Sequence, residues 1–264
     1  MQSSFAILLS AGLGTRLRPL TDVWPKCLMP INKRPLLSYW LANLELAEVD
    51  HVAVNTHWLS DIVDHFIAKY RGSLKISTCF EKELLGTAGT IRKMGLEFAV
   101  NSSTLIAHSD NFSNIDIKKM LAFHASHSAP ITMAVFNTNE PEKCGVVVTN
   151  EEDIVVEFQE KEKDPKSTLA NGAIYIFNPE VFEFLYQNPE LTDISTQVIP
   201  NYLGKIKIFR HTGFLIDVGT IENLRFAQDI LREWKHHSLH ETITAPYREK
   251  FEQIIRGLKC REKY

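Results

Sequence analysis

The first half of the chain alternates short apolar runs with stretches of helical periodicity, and that alternation restricts it to few architectures. Residues 5–10, 51–56, 74–80 and 104–108 read as buried strands. Between them, residues 35–46, 59–70 and 88–98 carry apolar side chains at helical spacing, with Ile62, Val63, Phe66 and Ile67 on one face of the second. Strands separated by helices return parallel, and continuous apolar strands need cover on both faces. Further along, the pattern predicts a helix over 117–126 with Asp116 as its N-cap and a strand over 131–137. Residues 145–149 and 154–159 form a hairpin across 150–153. A strand over 173–177 leads to a helix over 179–186 that starts on proline. A strand over 205–209, an extended run over 213–217 and a helix over 222–234 follow. The expected fold is α/β, a Rossmann-like mixed, mainly parallel sheet with helices on both faces. Residues 1–234 form the main domain, and 235–264 a polar C-terminal helical extension.

Composition narrows the function. Hydrophobic residues make up 44% and charged residues 23% of the 264, which is globular and excludes disorder. The net charge of −3 argues against coating nucleic acid or an anionic membrane. Cys27, Cys79, Cys144 and Cys260 form no close pair, so they read as reduced hydrophobes rather than zinc or redox ligands. The ten histidines show no ligand spacing on one helix. The N-terminus lacks a basic leader, and no apolar run approaches the roughly 18 residues of a membrane span, so a cytoplasmic location is expected.

Residues 8–26 carry the most chemistry. A hydrophobic strand runs into small residues at Ser10, Ala11, Gly12 and Gly14, followed by Thr15, Arg16, Arg18 and Lys26. Small residues let backbone N–H groups approach phosphate oxygens. Residues 1–34 hold five basic residues against Asp22 alone, a net +4, so the remainder carries −7. Walker A needs Gly-Lys-Ser/Thr, which is absent, and a dinucleotide fingerprint needs a glycine where Leu17 stands. A GxG pair alone is a tight turn; with Arg16 and Lys26 it suits a polyphosphate.

Gly12-Leu-Gly-Thr-Arg-Leu-Arg-Pro-Leu-Thr with Pro25-Lys-Cys-Leu-Met-Pro30 resembles the signature of the sugar-1-phosphate nucleotidyltransferases, and the resemblance continues in order to about residue 230. It implies that the loop wraps a nucleoside triphosphate, with Arg16 on the β- and γ-phosphates and Lys26 on the α-phosphate. Glu81-Lys-Glu-Leu-Leu-Gly-Thr-Ala-Gly-Thr90 resembles the base-binding segment, which would set Gly86, Thr87 and Gly89 against the base. His108-Ser-Asp110 and Ile216-Asp217-Val-Gly219 resemble the two metal-carboxylate segments, so Asp110 and Asp217 would share one Mg²⁺. Gly145, the pair Glu160-Lys161, and Asn171 resemble the sugar-phosphate contacts. The chain departs from the family where Ser109 replaces a usual Gly, Cys144 a frequent Tyr, and Leu215-Ile216 a usual Trp. The family's longer members add a β-helix domain, for which the residues beyond 234 are too few.

The implied reaction joins an NTP and a sugar 1-phosphate into an NDP-sugar and pyrophosphate. The attacking phosphate is already anionic, so positioning and charge stabilisation replace a strong base. Guanylyl transfer to mannose 1-phosphate or a manno-heptose 1-phosphate comes first. Uridylyl or thymidylyl transfer, to N-acetylmuramate 1-phosphate or glucose 1-phosphate, comes next. A nucleotide-sugar-dependent glycosyltransferase would need a DxD-like motif, which Asp110-Asn111 does not supply, and an inert regulatory homologue would not need the charged set. Monomer and homodimer both remain open.

Overall fold

A computed structural model of the chain describes residues 4–98 and 100–233; the expected extension over 235–264 lies outside the described residues. The main elements are β1 (Phe5–Leu9), β2 (Pro30–Ile31), β3 (Arg34–Pro35), α1 (Leu36–Leu46), β4 (His51–Thr56), α2 (Ser60–Ala68), β5 (Lys75–Phe80) and α3 (Gly86–Glu97). Then come β6 (Thr104–His108), β7 (Asn111–Ser113), α4 (Ile117–Ala125), β8 (Ile131–Asn137), β9 (Gly145–Thr149) and β10 (Val155–Glu160). The remainder is β11 (Leu169–Phe177), α5 (Pro179–Gln187), β12 (Ile206–Arg210), β13 (Leu215–Asp217) and α6 (Ile221–Glu233).

The sequence of β1, FAILL, shows why the sheet is covered twice. Its side chains alternate, so Ala6 and Leu8 enter one apolar core and Phe5 and Ile7 the other. Helices α1, α2, α4 and α6 pack on the first face, through residues such as Leu37, Phe66, Met120 and Leu224. Helices α3 and α5 cover the second through Ile91, Met94, Phe182 and Leu185. Asp116 caps α4, its carboxylate accepting from the Lys119 N–H at 2.9 Å. That carboxyl is held below its usual range, first by this backbone hydrogen bond.

Strands β6, β1, β4 and β5 lie side by side and parallel. Strand β11 runs antiparallel against β6 and β8, and β12 pairs parallel with β8. The hairpin β9–β10 joins the first half of β11 through Ala170 opposite Val146. From β1 the chain builds outward to β4 and β5, then crosses back through α3 to β6 on β1's other side. The order reverses between β1 and β6, and in open α/β sheets ligands bind at such a switch point, beyond the carboxyl ends of the strands. Among the described residues, no helix is long and apolar enough to cross a membrane.

Two expectations need correction. The strand predicted over 173–177 begins at Leu169, because a register shift between Asn171 and Tyr175 hides the period of its first half. The run expected over 213–217 is extended only from Leu215, and it pairs with β7 in a separate two-stranded sheet rather than joining the main one.

Candidate active site

The two aspartates meet because of that small sheet. Asp110 follows β6 and immediately precedes β7; Asp217 ends β13. Pairing sets Asp217 opposite Asn111, and the Val218 N–H donates to the Asp110 carbonyl at 3.0 Å. Strand β7 is itself pinned. The Trp40 indole N–H donates to the Asn111 carbonyl at 2.7 Å, and the Asn111 amide donates to the Gly172 carbonyl at 3.0 Å. The Asn223 amide, on the first turn of α6, holds the Asp217 carbonyl at 2.7 Å.

Lys26 reaches this carboxylate pair from beneath the glycine loop. It opens a single-turn helix, Lys26–Leu28, after Pro25, and only 8% of the residue is exposed. Its ammonium donates to Asp110 Oδ2, and to Asp217 Oδ1 at 3.1 Å. Arg16 lies on the same cluster, its Nη2 3.1 Å from Asp217 Oδ2, with 65% of its side chain exposed. A Cβ on Gly219 would come within 2.6 Å of that Arg16 nitrogen, so glycine there leaves the guanidinium room.

Burial pulls the Lys26 ammonium down, but the charges of Asp110 and Asp217 outweigh it and hold the group above the usual lysine range. Burial pushes the Asp110 carboxyl up, and the Lys26 charge, His108 and hydrogen bonds bring it below the usual carboxylate range. Burial also drives the neighbouring Cys27 thiol to about 12, which removes it as a nucleophile.

The loop between β1 and Lys26 is shaped by few residues. Gly14 is left-handed at φ 62, and a Cβ there would sit 2.8 Å from Thr21 Cγ2 and 3.2 Å from Lys26 Cβ. Thr15 and Arg16 follow on a 3-10 turn, while Ala11 is buried and Gly12 faces open space. Ser10 is tied down. Its N–H donates to Asn55 Oδ1 at 2.5 Å, and its hydroxyl donates to Ser109 Oγ at 2.8 Å. Asn55 in turn donates to Glu81 at 3.0 Å, and Glu81 accepts from the Thr90 hydroxyl at 2.6 Å and the Leu85 N–H at 3.3 Å. Asn55, Glu81, Thr90 and Ser109 are all buried. With Ser10 they form one hydrogen-bonded group at the carboxyl ends of β1, β4, β5 and β6, with Thr90 reaching in from α3. Asn55 carries no expectation from the sequence, and Glu81 appears there only as the first residue of the base-binding segment; a polar residue at the end of each apolar strand is the available signal.

At the start of α3, Gly86 has φ 73, and a Cβ would lie 2.3 Å from the Thr192 carbonyl oxygen. The Thr87 hydroxyl accepts from the Ile194 N–H at 2.8 Å and lies 3.4 Å from Asp193 Oδ2. Gly89 sits buried one turn on. Thr87 therefore holds the 192–194 segment against the helix start.

The expected sugar-phosphate residues gather on the other side. Gly145 pairs with Glu160 across the β9–β10 hairpin, and a Cβ on Gly145 would reach within 2.6 Å of Glu160 Oε2. Lys161, exposed and left-handed at φ 53, donates its N–H to the Cys144 carbonyl at 3.0 Å and its ammonium stands 3.4 Å from Glu160. Asn171 stands at the irregularity of β11, its amide donating to the Tyr175 hydroxyl at 2.6 Å. The Asn111–Gly172 bond joins this side to the aspartates.

Two carboxylates of hard oxygen, partly exposed and converging on one cation, suit Mg²⁺, which keeps waters and shares substrate phosphates. No group of three or more His, Cys, Asp or Glu residues that could hold a metal occurs among the described residues.

The nucleotidyl transferase family model matches residues 5–233. The mannose-1-phosphate guanylyltransferase of Mycobacterium tuberculosis is 31% identical over 233 residues, which cover 86% of this chain and 64% of that protein. Mannose-1-phosphate guanylyltransferase 1 of Arabidopsis thaliana is 32% identical over 239 residues, 86% of this chain and 66% of its own. The chain thus spans less than two thirds of the length of these curated relatives. In fold it resembles HddC from Yersinia pseudotuberculosis, solved in complex with GMP-PN, with a TM-score of 0.73 and 22% identity over 86% of this chain and 99% of that one. By the extent of the family match, the chain belongs to the nucleotidyl transferase family.

Proposed function

We propose that the chain transfers a guanylyl group from GTP to mannose 1-phosphate or a manno-heptose 1-phosphate, releasing pyrophosphate. The observation that carries this reading is Lys26, buried under the glycine loop with its ammonium on both Asp110 and Asp217. A cation held at that point serves a reaction in which two polyanions must meet. The guanine and mannose preferences rest on the names of the relatives; a cytoplasmic setting fits an NTP-consuming reaction.

The chain's own contribution is placement and charge. The Gly12–Arg16 loop would offer backbone N–H groups and a guanidinium to the triphosphate, and Lys26 an ammonium to the phosphate under attack. Glu160 would accept sugar hydroxyls, with Lys161 near the sugar phosphate. Gly86, Thr87 and Gly89 would border the base. Asp110 and Asp217 would hold Mg²⁺, which when bound neutralises phosphate charge. The acceptor is ionised already, so no raised carboxylate or free thiol is required.

The test is pyrophosphate release from four NTPs crossed with several sugar 1-phosphates. GTP with mannose 1-phosphate or the heptose 1-phosphate should lead. A tenfold preference for UTP or dTTP overturns the base assignment, and no release from any pair overturns the transfer. Asp110→Asn and Asp217→Asn should each cost about a hundredfold or more in turnover while the fold survives.

A further inference from the structure

Arg16, Lys26, Asp110 and Asp217 form one connected set of ion pairs with two positive and two negative charges. The carboxylates that suit a divalent cation are therefore already neutralised, by the two side chains expected to bind phosphate. The stem of Lys26 is fixed near its Cβ, so only its ammonium can change partner. The residue is buried, flanked by buried Cys27 and Leu28, and pressed against Gly14, where a Cβ would lie 3.2 Å from its own. Its ammonium donates to both aspartates, and its Cβ lies beside the glycine loop at Gly14.

We propose that Lys26 is the residue that makes Mg²⁺ binding conditional on nucleotide, by occupying the two aspartates as an internal counter-ion until phosphate draws it away. This rests on the proposed function for the identity of the phosphate ligand. With no anion on the loop, a divalent cation must displace an ammonium and compete with a guanidinium for the same oxygens. With phosphate on the loop, Lys26 and Arg16 gain a second anionic partner and the carboxylates are released. Coupling of this kind is reciprocal, so metal also favours nucleotide. The arrangement keeps the pair of aspartates from holding Mg²⁺ idle, and keeps the loop from holding a metal-free triphosphate in a reactive pose.

The test is calorimetric titration of the full chain with Mg²⁺ alone. Lys26→Met removes the ammonium and keeps most of the volume. It should bind Mg²⁺ at least about tenfold more tightly than wild type, within the roughly 5- to 150-fold span of coupled sites. Arg18→Met is the control, because Arg18 pairs with Asp22 in the same loop and outside the set; it should change the affinity less than about twofold. Unchanged or weaker Mg²⁺ binding by Lys26→Met overturns the proposal, as does an equal gain in Arg18→Met, which would be a general effect of lost charge. If Lys26→Met does not fold, the exposed Arg16→Met variant takes its place, with a gain of about threefold expected and none refuting. The titration contains no nucleotide or sugar. An inactive substrate matrix would thus sink the proposed function and leave this comparison readable, and the reverse also holds.

Discussion

Lys26→Met also makes a stability prediction that can be worked from the structure. Methionine nearly fills the lysine volume, so the loss is electrostatic rather than a cavity. Removing one partner of a buried ion pair costs about 3–5 kcal/mol. Here the aspartate side chains remain 27% and 45% exposed, so water screens the orphaned charges, and the lysine's own desolvation is relieved. About 2 kcal/mol should remain, or a Tm lower by about 4–8 °C for a domain of this size. The sign with pH follows from the two shifts. Asp110 is held below the ordinary 3.8, so its contribution is present above that value and fades as pH falls through the folded one. Lys26 is held above 10.5, so its contribution is present below that value and fades as pH rises through the folded one. The gap between variant and wild type should be flat from about pH 5 to 10 and narrow progressively as pH falls below about 4. Denaturant melts in EDTA across that range measure it. A gap equal at pH 3.5 and 7.5, or absent at both, refutes the electrostatic account.

Two further outcomes follow from the backbone and the hydrogen-bonded group around Asn55. Gly86→Ala forces φ 73 on a residue whose Cβ would stand 2.3 Å from the Thr192 carbonyl oxygen, whereas Gly12→Ala meets nothing within 4 Å. Denaturant melts should show a loss of about 2–4 kcal/mol for the first and about 0.5 or less for the second; the reverse order would refute the reading. Asn55→Leu leaves the Ser10 N–H and Glu81 each short of a partner. It should raise KM for the NTP several-fold with KM for the sugar 1-phosphate unchanged, and an equal rise in both would mean general loosening.

Much of this was legible in the sequence, for a physical reason. The strands of the first half are buried on both faces, so their apolar runs are continuous and bounded by helices of plain 3.6 periodicity. The glycine loop was legible because positive charge gathers there against an acidic remainder. What escaped has no period to betray it. The three one-turn 3-10 helices between Thr15 and Leu28 are too short. The first half of β11 hides behind the irregularity at Asn171–Tyr175. Strand β7 spans three residues and exists because β13 pairs with it. Asn55 and Glu81 stand alone among apolar or charged neighbours, and only the fold reveals that they touch. Lys26 and both aspartates were identifiable as site residues, but their mutual ion pairing spans 84 and 191 residues of separation.

The antiparallel strand β11 stands between two groups of candidate site residues, which form two walls. The wall behind the glycine loop stands on adjacent parallel strands and their crossover helices. The wall bearing Gly145, Glu160 and Lys161 is a hairpin that meets the sheet at Ala170–Val146 and, at its turn, at β12 through Ile154 and Lys207. The hairpin carries none of the residues of the glycine loop or the crossover helices, so its side chains can be exchanged without altering those elements. Under the proposed roles, exchanging that hairpin between relatives would change the acceptor preference and keep the NTP preference.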